Sequence, residues 1–140
     1  MVPVIFANIV IVLAAVMVHA ESLRLLSWLT SHVAVRTHLK LVLCVCGALV
    51  GHTVEVWLFG LAYFVMQRND LGGLSGSVDG DLLDCIYFSF TTFTTLGFGD
   101  INPVGPLRYL AALEALTGLV LITWTASFLF VEMEKYWKRY

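Results

Sequence analysis

Three stretches of this chain are apolar for longer than a soluble core element needs to be. Residues 2–18 carry no charge and only Asn8 as a strong polar interruption; residues 41–66 are broken by His52 and Glu55, and residues 110–131 only by Glu114. Each approaches or exceeds the ~20 residues a helix needs to cross ~30 Å of hydrocarbon. The whole chain of 140 residues is 59% hydrophobic and 13% charged, too few charges to cover so much apolar surface in water. Lipid is the solvent these runs require, and the expected class is an all-α integral membrane protein.

The flanks set the expected orientation. No Lys or Arg precedes the first run, so it reads as a retained helix and not as a secretory signal. Arg24, Arg36 and Lys40 follow it, and Lys135, Lys138 and Arg139 follow the third run, which places both regions in the cytoplasm. The N-terminus and residues 67–106 then lie outside, with Tyr136, Trp137 and Tyr140 suited to the inner interface. Residues 21–35 either extend the first helix or lie along that interface. A chain this compact suits a prokaryotic inner membrane. No basic stripe is available to neutralise phosphates, so nucleic acid is not an expected partner. Cys44, Cys46 and Cys85 have the spacing of neither a zinc site nor a disulfide framework and are expected to be buried thiols.

The outer connection has two parts. Residues 69–80 are rich in Gly, Ser and Asp and read as an exposed turret. Asp70, Asp79, Asp81 and Asp84 against Arg68 give this region a net −3, which concentrates cations or simply solvates the loop. Residues 81–95 are apolar, aromatic and hydroxyl-rich; as a helix they would run about 22 Å, long enough to enter the membrane and stop. Asp81 and Asp84 favour the helix start, Gly97 and Gly99 break it, and Pro103 and Pro106 precede the next helix. Non-helical backbone at membrane depth is tolerated only where protein surrounds it or it lines a watery cavity. A ring of backbone carbonyls can replace a cation's hydration shell there, provided the backbone alternates into conformations that glycine enters freely. Leu96 and Phe98 would then point away from the axis and pack against the short helix.

The string Thr94 to Asp100, Thr-Thr-Leu-Gly-Phe-Gly-Asp, resembles the Thr-Val-Gly-Tyr-Gly-Asp signature of P-loop potassium channels, and Tyr87 to Phe93 resembles their pore helix. The likeness covers residues 41 to about 131. It implies three transmembrane helices, a re-entrant pore helix and a selectivity-filter loop: an extra N-terminal helix and connection in 1–35, then a pore domain in 36–140. Within that domain it implies an outer helix 41–66, turret 67–80, pore helix 81–95, filter 95–100 and inner helix 107–134. The carbonyls of Thr95, Leu96, Gly97 and Phe98 would hold K+, with the Thr95 hydroxyl completing the innermost site and Gly99 forming the outer mouth. Asp100 would anchor the loop from behind, supported by Thr91, Thr94 and Tyr87. One loop per chain implies a homotetramer, each chain meeting three identical subunits. The implied activity is passive K+ conduction, with no enzyme chemistry and no cofactor. Phe98 stands where the family usually has Tyr, Leu96 where it has Val, and Thr91 where some relatives have a Glu paired to the filter aspartate. Tyr87 could donate to Asp100 in its place, and the filter is expected to be less firmly braced. Two alternatives stay open: a non-selective cation channel, and a pore-like subunit of a potassium transporter.

His52, Glu55 and Glu114 would each cost at least ~2.5–3.5 kcal/mol at membrane depth without partners. They read as one hydrogen-bond network behind the filter, as neutral groups, or as a pH sensor; too few ligands are in view for a metal. Gly118 is either a hinge or a packing contact. Thr117, Thr123, Thr125 and Ser127 either hydrate a cavity or bond back to their own helix. Arginines at every third position are missing, so a voltage sensor is not expected.

Overall fold

The computed structural model describes residues 2–34 and 36–137, without the side chains of residues 2, 3, 37, 136 and 137. The expected interfacial belt of Tyr136, Trp137 and Tyr140, and the cations Lys138 and Arg139, lie outside what is described. Four helices and two short strands follow in the order α1 (Val2–His32), α2 (Thr37–Arg68), β1 (Gly73–Gly76), α3 (Leu82–Phe93), β2 (Ile101–Val104) and α4 (Leu107–Trp137). Among the described residues, α1, α2 and α4 are each long and apolar enough to cross a bilayer. At about 1.5 Å per residue they run ~45 Å or more, so they overshoot the hydrocarbon or tilt within it. The all-α membrane class holds.

The element bounds differ in detail from the sequence expectation. Residues 21–32 continue α1 instead of lying separately along the interface. The outer helix begins at Thr37, four residues before the uncharged run, because helix propensity does not stop where charge begins. The short helix is 12 residues, with Asp81 as its N-cap and Thr94 as its C-cap. Asp81 accepts from the Asp84 backbone N–H at 2.8 Å, while Asp84 reaches back to the N–H groups of Asp79 and Gly80 at 2.7 and 3.1 Å. The first bond satisfies a donor that the first helical turn leaves free, and the other two hold the chain that leads into the helix.

The turret is not only a loop. β1 pairs antiparallel with β2, Gly73 opposite Val104 and Gly76 opposite Ile101. Pro103 is tolerated because a two-stranded ribbon has only edge strands. The ribbon ties the segment before α3 to the segment after the glycine-rich loop, which a reading from local patterns does not supply.

Packing centres on α3. Its buried side, Cys85, Ile86, Phe88, Ser89, Thr91 and Phe93, lies between α2 and α4. Two glycines permit this approach. A Cβ at Gly60 would meet the Ile86 Cα at 2.9 Å, and one at Gly118 would overlap the Phe93 carbonyl oxygen. Gly118 is thus a packing contact with the end of α3. α1 packs along α2 and α4, with Leu23 and Leu26 against Ala48 and Phe128. Cys44 and Cys85 are buried free thiols, but Cys46 is exposed on the outward side of α2, correcting the expectation for that residue.

Candidate functional site

The loop that follows α3 departs from ordinary backbone at every second residue. Thr95, Gly97 and Gly99 have φ of +58°, +52° and +82°, while Leu96 and Phe98 between them keep negative φ. Alternation between positive and negative φ is a backbone pattern that lets successive carbonyls face the same side, where an ordinary strand alternates them. Two of the three left-handed positions are glycine, which enters that region without a Cβ clash; Thr95 takes it at a steric cost.

Each end of this loop is tied to its own chain. At the inner end, the Thr95 N–H donates to Thr92 O at 2.9 Å and the Thr94 hydroxyl to Phe90 O at 2.7 Å. Thr91 acts through its backbone: its carbonyl accepts from the Gly97 N–H at 3.0 Å, while its buried hydroxyl returns to Phe88 O at 2.9 Å. At the outer end, the Tyr87 hydroxyl donates to Asp100 Oδ2 at 2.9 Å, and the Ser77 N–H donates to Asp100 O at 3.2 Å. The bond to Asp100 holds the Tyr87 phenol above its ordinary pKa. Asn102 Nδ2 donates to Gly99 O at 3.1 Å, so the Gly99 carbonyl, expected at the outer mouth, has a partner in its own chain.

Leu96 and Phe98 do not pack on α3 as expected; they are 60% and 64% exposed in the single chain. The reason is geometric. α3 ends at Phe93 and the loop runs on past it, so their own helix leaves more than half of each side chain uncovered.

A family model described as "Ion channel" matches residues 39–135, well over half of the chain. The chain belongs to that ion channel family. The chain is also 33% identical, over 79 residues, to the inward rectifier potassium channel Kirbac3.1 of Paramagnetospirillum magnetotacticum, a match covering 56% of this chain and 25% of that protein. It is 31% identical over 70 residues to Protein LctB of Geobacillus stearothermophilus, covering 45% of this chain and 52% of that one. The match thus spans a quarter to about half the length of these relatives. No solved structure matches the channel.

His52, Glu55 and Glu114 fall into two clusters and do not form one network. Glu114 on α4 accepts from the Tyr63 hydroxyl of α2 at 2.5 Å and pairs with the Ser89 hydroxyl of α3. Ser89 Oγ also lies 2.8 Å from Val56 O, and Glu114, Tyr63 and Ser89 are all fully buried. Glu55 is separate: its two oxygens lie 2.8 Å from His19 Nδ1 and 2.8 Å from His52 Nδ1. Tyr63 and Ser89 escaped the sequence reading because neither is charged. His19 escaped it because its partner is 36 residues away; its position at the edge of an uncharged run was the one available signal.

Three of the hydroxyls noted on α4 bond back to their own helix: Thr117 to Leu113 O, Thr123 to Leu119 O and Ser127 to Thr123 O. Thr125 does not. Its Oγ1 lies 3.0 Å from His52 Nε2 and 3.5 Å from His19 Nε2.

Proposed function

We propose that this chain is one subunit of a homotetrameric, K+-selective channel that conducts passively, with Thr95, Leu96, Gly97 and Phe98 offering the ion-coordinating carbonyls. The observation that carries this reading is the alternation of left-handed φ at Thr95, Gly97 and Gly99 in a loop held between a half-length helix and a full span. Backbone oxygens gathered on one side replace an ion's water shell without adding formal charge. The printed name of Kirbac3.1, a potassium channel, supports the choice of ion.

Four copies are what the resemblance to P-loop potassium channels implies, and the geometry of one chain supports an assembly. One loop supplies oxygens on one side of an axis only, and Leu96 and Phe98 need apolar cover that their own chain does not give. Gly99 forms the outer mouth. Thr91, Thr94, Tyr87 and Asp100 brace the loop, and Gly118 and Glu114 fix the helix behind it. Lipid covers the outward faces of α1, α2 and α4. The N-terminus lies outside a cell membrane and the C-terminus in the cytoplasm. Ser27 of α1 and Glu132 of α4, in contact at 3.5 Å, put the basic ends of both helices on one side, as that topology requires.

Reversal potentials in planar bilayers under opposed K+ and Na+ gradients test the proposal. A potential that follows the K+ gradient is expected; an equal response to Na+ would leave a non-selective cation channel. Native mass spectrometry from detergent is expected to show four chains. Phe98→Tyr is expected to slow current decay at low K+ by adding the missing hydroxyl, and an unchanged decay would remove the weak-brace reading.

A further inference from the structure

His19, His52 and Glu55 bring three metal-ligating groups, two of them buried, from two helices to one point, with one ligand atom of each within 4.8 Å of the others. Hydrogen-bond counting shows that neutral imidazoles and an ionised Glu55 leave this cluster one cation short. If both rings carry the proton on Nε2, both N–H groups point at Thr125 Oγ1, which has lone pairs for two, and both Nδ1 lone pairs face the carboxylate. Three acceptors then converge with no donor between them. If both rings carry it on Nδ1, the carboxylate is satisfied, but the single Thr125 O–H faces two Nε2 lone pairs.

The geometry points to a site for a borderline divalent cation such as Zn2+, held by His19 Nδ1, His52 Nδ1 and a Glu55 oxygen, with Thr125 fixing both rings from behind. Two His and one Glu form a donor set that zinc accepts while keeping a fourth position for water. Ligand atoms around such an ion stand about 3.3 Å apart for bonds of ~2.0–2.1 Å, and each Nδ1 here already lies 2.8 Å from a Glu55 oxygen. A hydrogen-bond partner on the non-ligating nitrogen is the usual means of fixing tautomer and ring plane. The rings are also wedged by neighbours: His19 lies 5.2 Å from the Trp124 ring, and His52 lies 5.8 Å from the ring of Phe93, the last residue of α3. The negative end of α3 beside the site offsets the +1 that a divalent ion and one carboxylate leave behind. Bound there, the ion would fasten α1 to α2 and, through Thr125, to α4. The inference does not depend on which ion the pore conducts.

The test uses the full chain in detergent, stripped with a chelator and titrated with Zn2+ against a chromophoric chelator. One ion per chain is expected in wild type. His19→Gln and His52→Gln should each lose more affinity than the about 10–100-fold expected for Thr125→Val, which removes only the outer hydrogen bonds. His32→Gln and His38→Gln should change nothing. Co2+ added to wild type should give the intense visible absorption of a four-coordinate ion, a readout that needs no variant to fold. The proposal is overturned if zinc uptake is lost with His32 or His38, if the cobalt spectrum is that of a hydrated octahedral ion, or if wild type binds no zinc. Stabilisation by acid alone, without zinc uptake, would assign the cluster to a proton and likewise overturn it.

Discussion

Glu114 and Glu55 are both fully buried and both lie within apolar spans, yet they join different parts of the channel by different chemistry. Glu114 takes the hydroxyls of Tyr63 and Ser89, linking α4 to α2 and to the short helix that carries the glycine-rich loop. Glu55 takes two imidazoles, linking α2 to α1 and reaching α4 only through Thr125. The first cluster pairs one carboxyl group with two hydroxyls. The second uses the one side chain whose unperturbed charge changes near neutrality. Imidazoles thus join α1 to the bundle, whereas hydroxyls hold the short helix α3 to its neighbours.

The largest effect should come from Glu114→Ala, which strands the buried Tyr63 hydroxyl at about 1–3 kcal/mol, opens a cavity, and leaves Ser89 only its contact with Val56 O. Thermal unfolding in detergent should fall sharply, and K+ flux into vesicles should drop more than about tenfold as α3 loses its anchor. Retained flux would show that α3 is positioned by packing alone. Gly118→Ala, one turn along the same helix, should cost about 1–3 kcal/mol, because its methyl meets the Phe93 carbonyl. Unchanged stability with altered gating would restore the hinge reading of Gly118.

Glu55→Gln should cost less, about 0.5–1.5 kcal/mol, since the amide oxygen still accepts from one ring. Its signature should be local: faster hydrogen exchange in α1 while α3 keeps its protection. Equal loss in both helices would mean that the two clusters act as one. Tyr87→Phe should have the smallest effect on stability, because its bond to Asp100 is exposed, and should show as faster current decay at low K+. Since that bond raises the Tyr87 pKa above the ordinary 10.0, its support is complete below that pH and is lost as pH rises through the higher, folded-state value. Current decay in wild type should therefore quicken only in strongly alkaline outer solution, and Tyr87→Phe should abolish that dependence.

Much of this was legible because it rests on short-range rules. Run length against bilayer thickness gives three spans, and Asp81 with Asp84 marks the start of α3. Gly97 and Gly99 mark where regular structure must stop. The bounds shifted by a few residues because capping and propensity, not charge, end helices. Leu96 and Phe98 were misread because a single chain was asked to cover side chains that its own backbone turns outward.

Alone, the sequence determined the solvent, the number of crossings and the one loop where backbone leaves the helix, since each depends on neighbours a few residues apart. Only the tertiary structure decided that the turret is a ribbon bracing Asp100, and that Gly118 is where α4 meets α3. Only there, too, do His52, Glu55 and Glu114 divide into two clusters, with His19 and Thr125 completing one of them. Apart from His52 with Glu55, one turn apart on α2, these contacts join residues 23 (Ser77 and Asp100) to 106 positions apart. A buried polar group must find a partner, but local pattern cannot say which helix will bring it.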